Sequence, residues 1–267
     1  MFISHFLYRL ISMIYRKTIG TPKNGHVILV HGLGEHSGRY HALISLFQSN
    51  GYAVSMFDWP GHGKSKGKRG HAKVIDGIQQ IQEIIQDIKQ QPFLFGHSLG
   101  GLTALRYAEL YPDDIKGVIA SSPALAINKH VSSTNLLLAR FFNTISPQTT
   151  AHNKIDPLEI SRNKHAIEEY TNDPLVHHRI SAALTHSLFE TMKQVHNDAK
   201  KIRAPILILA GTDDVLAPIE GARRIMNEIS VSDKTLREFS GAFHELFADE
   251  EWSEEFYKTI IDWIHKH

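Results

Sequence analysis

The sequence contains no cysteine. That excludes disulfides, thiolate nucleophiles and cysteine-based metal sites, and it leaves the redox compartment open. Charge imbalance is almost as scarce: 29 Lys and Arg face 28 Asp and Glu, a net +1. Nothing here demands a polyanionic partner, and the basic stretch Lys64-Ser65-Lys66-Gly67-Lys68-Arg69 is brief, so nucleic acid is not an expected ligand. Histidine is plentiful at 18, yet H-E-x-x-H is missing. His244-Glu245 lacks a second histidine at the required spacing, and no metal is expected.

What is present suits one soluble domain. The chain has 267 residues, 42% of them hydrophobic, enough for a single sizeable core with a lid or insertion. Residues 1–17 place Phe2, Ile3, Phe6, Leu7, Leu10, Ile11 and Ile14 on one face at helical spacing. The expectation is an N-terminal amphipathic helix within residues 1–20, ahead of a main domain over 21–267. Interrupted by His5 and Arg9, it is too short to cross a bilayer, which takes about 20 mostly apolar residues. It also lacks the basic start and small-residue cleavage site of a secretory signal. Two readings stay open, a helix packed on the body or one lying in a membrane interface. With no export signal the expected location is cytoplasmic, peripheral to a membrane in the second reading. Nothing in the sequence specifies an oligomer.

From His26 onward the chain alternates. The continuous apolar, β-branched run His26–His31, the runs Tyr52–Phe57 and Ile115–Ser121, and the short apolar run from Phe93 that ends in Gly96-His97-Ser98-Leu99-Gly100 read as strands, separated by helical stripes that end near Asn50, near Gln90 and at Leu110. This β-α-β-α order predicts an α/β fold, a mostly parallel sheet with helices on both faces. Strand character returns at Pro205–Ala210 and Lys234–Phe239, with a final helix over Trp252–Ile264. Between the Ile115–Ser121 run and Pro205, from about 124 to 201, only helical stripes are evident and no strand. So long an insertion reads as a helical cap over the active-site edge, or as a second small domain apart from the chemistry. Its apolar residues over Asn135–Ile145 suit an acyl chain, and equally an ordinary core face.

The chemistry centres on Phe93–Gly101, FLFGHSLGG. A strand ends in Gly96-His97-Ser98-Leu99-Gly100 and a helix begins at once. In G-x-S-x-G the serine sits on a cramped strand-to-helix turn that projects its hydroxyl, while small neighbours let the backbone pass. Ser98 is the candidate nucleophile. The helix starting at Leu99 aims free N–H groups and the positive end of its dipole at the same spot. The other Gly-rich loop, Gly32-Leu33-Gly34, does not complete a dinucleotide fingerprint, because Ser37 stands where the third glycine is needed. Its better use is an oxyanion loop, the N–H of Leu33 joining that of Leu99. Gly63-Lys64-Ser65 mimics the end of a P-loop, but Asp58 occupies the position of its first glycine, so phosphate binding is not supported. An acid follows the Pro205–Ala210 strand in Gly211-Thr212-Asp213-Asp214, and His244 follows the next strand. Chain order Ser, Asp, His is that of an α/β-hydrolase, with each group at a strand's carboxyl end.

With these residues in place, the chain resembles the monoacylglycerol lipase group of serine hydrolases, including lysophospholipase-like bacterial members. The likeness runs from about His26 to the C-terminus. It rests on HGLGEHSGRY (31–40), DWPGHGKSKG (58–67), GHSLGG (96–101), SRNK (161–164), NDPLVH (172–177), GTDD (211–214) and GAFHELF (241–247). GHSLGG is shared by many lipases and esterases; HGLGEHSGRY together with NDPL is more selective. The resemblance implies an α/β-hydrolase fold with a helical cap inserted after the sixth strand of the family's sheet. It makes Asp214 rather than Asp213 the triad acid, returns Leu33 and Leu99 as the oxyanion amides, and puts Glu35 and Arg39 near the glycerol end of the site as substrate-binding residues. The chain departs in two places. No opening β-hairpin is recognised, the amphipathic helix standing in its place, and Phe247 stands where animal lipases have a second histidine.

The expected reaction is acyl transfer to water through an acyl-enzyme. His244 takes the proton of Ser98, Asp214 orients the imidazole, and no cofactor is needed. The expected partner is a lipid ester of monoacylglycerol type. A lysophospholipid and a short-chain ester need the same triad, and a catalytically silent binding module of the same fold is the non-enzymatic alternative.

Overall fold

The computed structural model describes residues 14–127 and 131–267. Strand β2 (Gly25–Val30) shows why the sheet reads as unbroken apolar runs. Its side chains alternate between two separate cores, Ile28 and Val30 in one, Val27 and Leu29 in the other. Both faces are covered, so neither set of alternating positions is free to be polar. The same division holds in β4 (Phe93–His97), where Leu94 joins the first core and Phe93 and Phe95 the second.

Seven strands build the main sheet among the described residues, in the order β1-β3-β2-β4-β5-β8-β9. Besides β2 and β4 these are β1 (Arg16–Ile19), β3 (Tyr52–Phe57), β5 (Gly117–Ser121), β8 (Ile206–Gly211) and β9 (Lys234–Phe239). All neighbours run parallel except β1, which is antiparallel to β3. Helix α1 (His41–Ser49) supplies Leu43, Ile44 and Phe47 to the second core. Helices α2 (Val74–Ile88) and α3 (Leu99–Leu110) cover the opposite face and build the first.

Strand β1 corrects the N-terminal expectation. Arg16 and Lys17, expected on a helix, lie in an extended strand paired with Phe57 and Met56. The reason is an open edge: β3 has unpaired backbone groups on that side, and Thr18 and Ile19 are β-branched residues suited to filling it. Arg16 is held there by Gln80 and Glu83 of α2. The sheet therefore has a first edge strand after all. Residues 1–13, the rest of the expected helix, lie outside the described residues.

Between β5 and β8 the chain leaves the sheet for α4 (Ser133–Ile145), β6 (Thr150–His152), α5 (Pro157–Ile160), α6 (Lys164–Asn172), β7 (Arg179–Ser181) and α7 (Ala182–Asp198). Strands β6 and β7 form a separate antiparallel pair, which the sequence pattern did not reveal. At three residues each they are too short for a period-2 signal. Helix α7 is anchored in the body: Leu184, Met192 and Val195 belong to the first core with α2 and α3. The remaining helices are α8 (Ile219–Glu228) and α9 (Ser253–Ile264), α9 completing the second core with Phe256, Ile260 and Trp263.

Candidate active site

Ser98 stands between β4 and α3 with φ 53° and ψ −114°, a conformation that L-residues avoid. The turn is held by backbone bonds. Its N–H donates to the Ser121 carbonyl (2.9 Å), and its own carbonyl accepts from Leu102 (3.0 Å) and Ala124 (3.1 Å). Such strain persists because close packing leaves no alternative. A β-carbon on Gly100 would lie 2.0 Å from the Val30 carbonyl oxygen, and one on Gly96 would lie 2.3 Å from that of Gly100. The Ser98 side chain makes no cap on the helix it begins, so its hydroxyl remains for the cavity above.

The acid and the histidine meet from two other strand ends. His244 Nδ1 lies 2.7 Å from Asp214 Oδ2, and since a carboxylate only accepts, Nδ1 carries the proton. Asp214 Oδ1 accepts from the N–H groups of Leu216 (2.9 Å) and Ala217 (2.8 Å), which aims the carboxylate. Asp213 is exposed and accepts from Thr212 (3.1 Å), so the geometry separates the two adjacent acids. Burial works against a charged imidazole at His244, but the Asp214 carboxylate, with smaller help from Glu245 and Glu35, makes the net shift upward. Beneath it the His97 ring, 4.7 Å away, is pushed down to about 3 by burial and by that neighbour. It stays neutral and cannot compete for the proton.

Ser98, His244, Leu33 and Leu99 all line one cavity of about 370 Å³. Much of its wall comes from α4 and α7, including Leu136, Phe142, Leu188, Phe189 and Met192, and β6 with the loop after it contributes His152 and Lys154. As the first residue of α3, Leu99 has an N–H without an intrahelical acceptor. Leu33 follows Gly32, where a β-carbon would lie 3.2 Å from that of Ser98. Both residues expected to supply oxyanion amides thus lie beside the serine at the same cavity.

Glu35 and Arg39 are placed differently from the expectation. Neither lines the cavity. Glu35 is buried behind Gly32, accepting from its N–H (2.7 Å) and from the Tyr40 hydroxyl (2.6 Å) while pairing with Arg39 (3.0 Å). Arg39 is held by both oxygens of Glu245 (2.5 and 3.0 Å) and packs over the Tyr170 ring. Charged side chains so fully engaged with one another have little left for a substrate; they shape the loop that carries Leu33. Burial is the largest influence and opposes the Glu35 charge, but Arg39, the His97 and His31 rings and the Tyr40 hydroxyl together hold the carboxyl down to about 2.

Sequence reasoning missed two residues. Ser122, at φ 42°, donates through its hydroxyl to the His244 carbonyl (2.7 Å) and ties β5 to the histidine loop. Glu245 is the other. Its place beside His244 was the available signal, but a partner 206 positions away could not be read from it. Asp58, which stands where a P-loop would need its first glycine, accepts from Ser37 and Lys64 and binds two loops together.

With this geometry established, relatives can be compared. A family model described as Hydrolase_4, serine aminopeptidase S33, matches residues 21–251. The chain belongs to this family. Within it, the chain is 33% identical to human monoglyceride lipase over 87% of its own length and 78% of that protein. An uncharacterized abhydrolase domain-containing protein of Dictyostelium discoideum is also 33% identical over 89% of this chain. That relative is far longer, and the chain spans only 26% of it. The crystal structure of Paleococcus ferrophilus monoacylglycerol lipase superposes with a TM-score of 0.93 at 52% identity, covering 94% of this chain and 98% of that one. The kinship is with monoacylglycerol lipases, and the fold is that of the α/β-hydrolases.

Proposed function

We propose that this protein is a serine hydrolase that cleaves the carboxylic ester of monoacylglycerol-like lipids through an acyl-enzyme. Ser98 Oγ attacks the carbonyl carbon as its proton passes to Nε2 of His244, the nitrogen left free by the Asp214 pair. The tetrahedral oxyanion is received by the N–H groups of Leu33 and Leu99. Collapse expels the alcohol, which takes the proton back from Nε2. Water then attacks the acyl-serine, giving its proton to the same imidazole, and the fatty acid and free serine are released. One donor of such an oxyanion hole contributes about 3 kcal/mol to the rate in comparable sites.

The observation that carries this reading is the oriented Asp214–His244 pair opening, with the strained serine, on a mostly apolar cavity. Its walls, drawn from the cap as well as the body, suit an acyl chain. Leu137, Phe141 and Ile145 of α4 are exposed apolar residues, which supports peripheral contact with a lipid surface from which such substrates are drawn. No helix among the described residues is long and apolar enough to cross a membrane. A specific feature favours a second reading, a lysophospholipid: His152 and Lys154 both line the cavity and are exposed, where they could meet a phosphate.

The test is labelling by a fluorophosphonate probe, with hydrolysis measured across monoacylglycerols and lysophosphatidylcholines of increasing chain length. An adduct on Ser98, lost in S98A, with rates rising beyond four carbons on monoacylglycerols, supports the proposal. Higher rates on the phospholipids would move it to the second reading. Rates flat beyond four carbons would make it a short-chain esterase, and no adduct would leave a binding module.

A further inference from the structure

The histidine loop and the oxyanion loop come from opposite ends of the chain, yet catalysis needs them in fixed register. One buried ion cluster joins them. Glu245, next to His244, is 3% exposed and grips Arg39 through both carboxylate oxygens (2.5 and 3.0 Å). Arg39 also reaches Glu35 (3.0 Å), whose other oxygen accepts from the N–H of Gly32 (2.7 Å), one residue before Leu33. The cap is drawn into the same knot, since the Glu245 N–H donates to the Ile160 carbonyl (2.8 Å) and Arg39 lies over Tyr170 of α6.

We propose that Glu245 is a positioning residue for acyl transfer, locking the histidine loop to the oxyanion loop through Arg39 and Glu35. This rests on the triad reading above. A buried bidentate carboxylate–guanidinium pair fixes angle as well as distance, which suits a register device better than a single contact. With two carboxylates, Glu35 and Glu245, on one guanidinium, the cluster also brings one net negative charge beside the imidazole. The groups facing His244 are the Asp214 carboxylate from the loop after β8, the neutral His97 ring from β4, Glu35 from the loop after β2, and Glu245 on its own loop. Three of these four favour the imidazolium, in agreement with its upward shift.

The test compares E245Q with E245D, both checked by thermal melting. E245Q keeps the size but removes the charge. It is expected to lower kcat about tenfold with KM for a soluble short-chain ester little changed, and to move the acid limb of the kcat/KM profile about half a pH unit toward acid. E245D keeps the charge but shortens the reach, so the rate falls while the acid limb stays. A variant that melts earlier yet matches the wild-type rate and profile, in either substitution, would overturn the role, because a merely structural contact would not move the limb. Wild-type labelling of Ser98 separates the two layers: without it the triad reading fails, and with it an unmoved profile in E245Q refutes this inference alone.

Discussion

The turn at Ser98 and the insertion between β5 and β8 contribute to the same cavity, but they are built under opposite constraints. At the turn, backbone closes on backbone. Gly96 and Gly100 have no room for a β-carbon, and Ser98 is forced into a strained conformation between them. In α4 the opposite holds: Leu137 is 69% exposed and Phe141 58%, while Leu136 and Phe142 of the same helix line the cavity. Backbone crowding tolerates few sequences and therefore leaves a motif. Apolar lining tolerates many and leaves only a composition. On the proposed function, the reaction is written in the first region and the choice of substrate in the second.

Three substitutions would break or sharpen that contrast. D214N keeps the shape at the acid while removing the charge that sets the imidazole tautomer, and kcat should fall about 10⁴-fold with the fold intact, as read by steady-state rates and circular dichroism. A loss under tenfold would mean that the pair does not govern the chemistry. G100A would drive a β-carbon to 2.0 Å from the Val30 carbonyl. Unfolding in denaturant should show a loss of about 3 kcal/mol or more, since rigid backbone cannot make way. A139F, in the cavity wall of α4, should leave stability within about 1 kcal/mol. It should cut activity on long-chain monoacylglycerols about tenfold, a little over 1 kcal/mol, while sparing short-chain esters. Equal losses on both would place the acyl chain elsewhere.

A pH profile sharpens the contrast further. Because Asp214 raises the affinity of His244 for a proton, and the base must be unprotonated to act, the acid limb of kcat/KM should lie above the ordinary histidine value of 6.5. Removing the Asp214 charge should lower it.

The α/β order was legible because buried parallel strands cannot hide their apolar runs, and Ser98 was legible because its turn admits so few residues. The insertion was less so. Strands β6 and β7 are too short to show a period, and a helix lining a cavity carries the same stripe as one lining a core. The N-terminal pattern misled over Arg16–Ile19, where an open sheet edge captured residues whose spacing suited a helix. Glu35 and Arg39 were picked out for the right loop, but their burial against Glu245 could not be inferred from either segment alone.

By itself the sequence determined the succession of strands and helices, the strained serine turn, and an acid and a histidine following later strands, since each is imposed by neighbours within a few residues. The resemblance named Asp214 over Asp213, but only the tertiary structure shows Asp214 meeting His244 while Asp213 faces solvent, and only it decided that Glu245 closes a buried ion cluster with the loop at Gly32. Those outcomes depend on which way a side chain points once distant strand ends are brought together, and no local pattern encodes that.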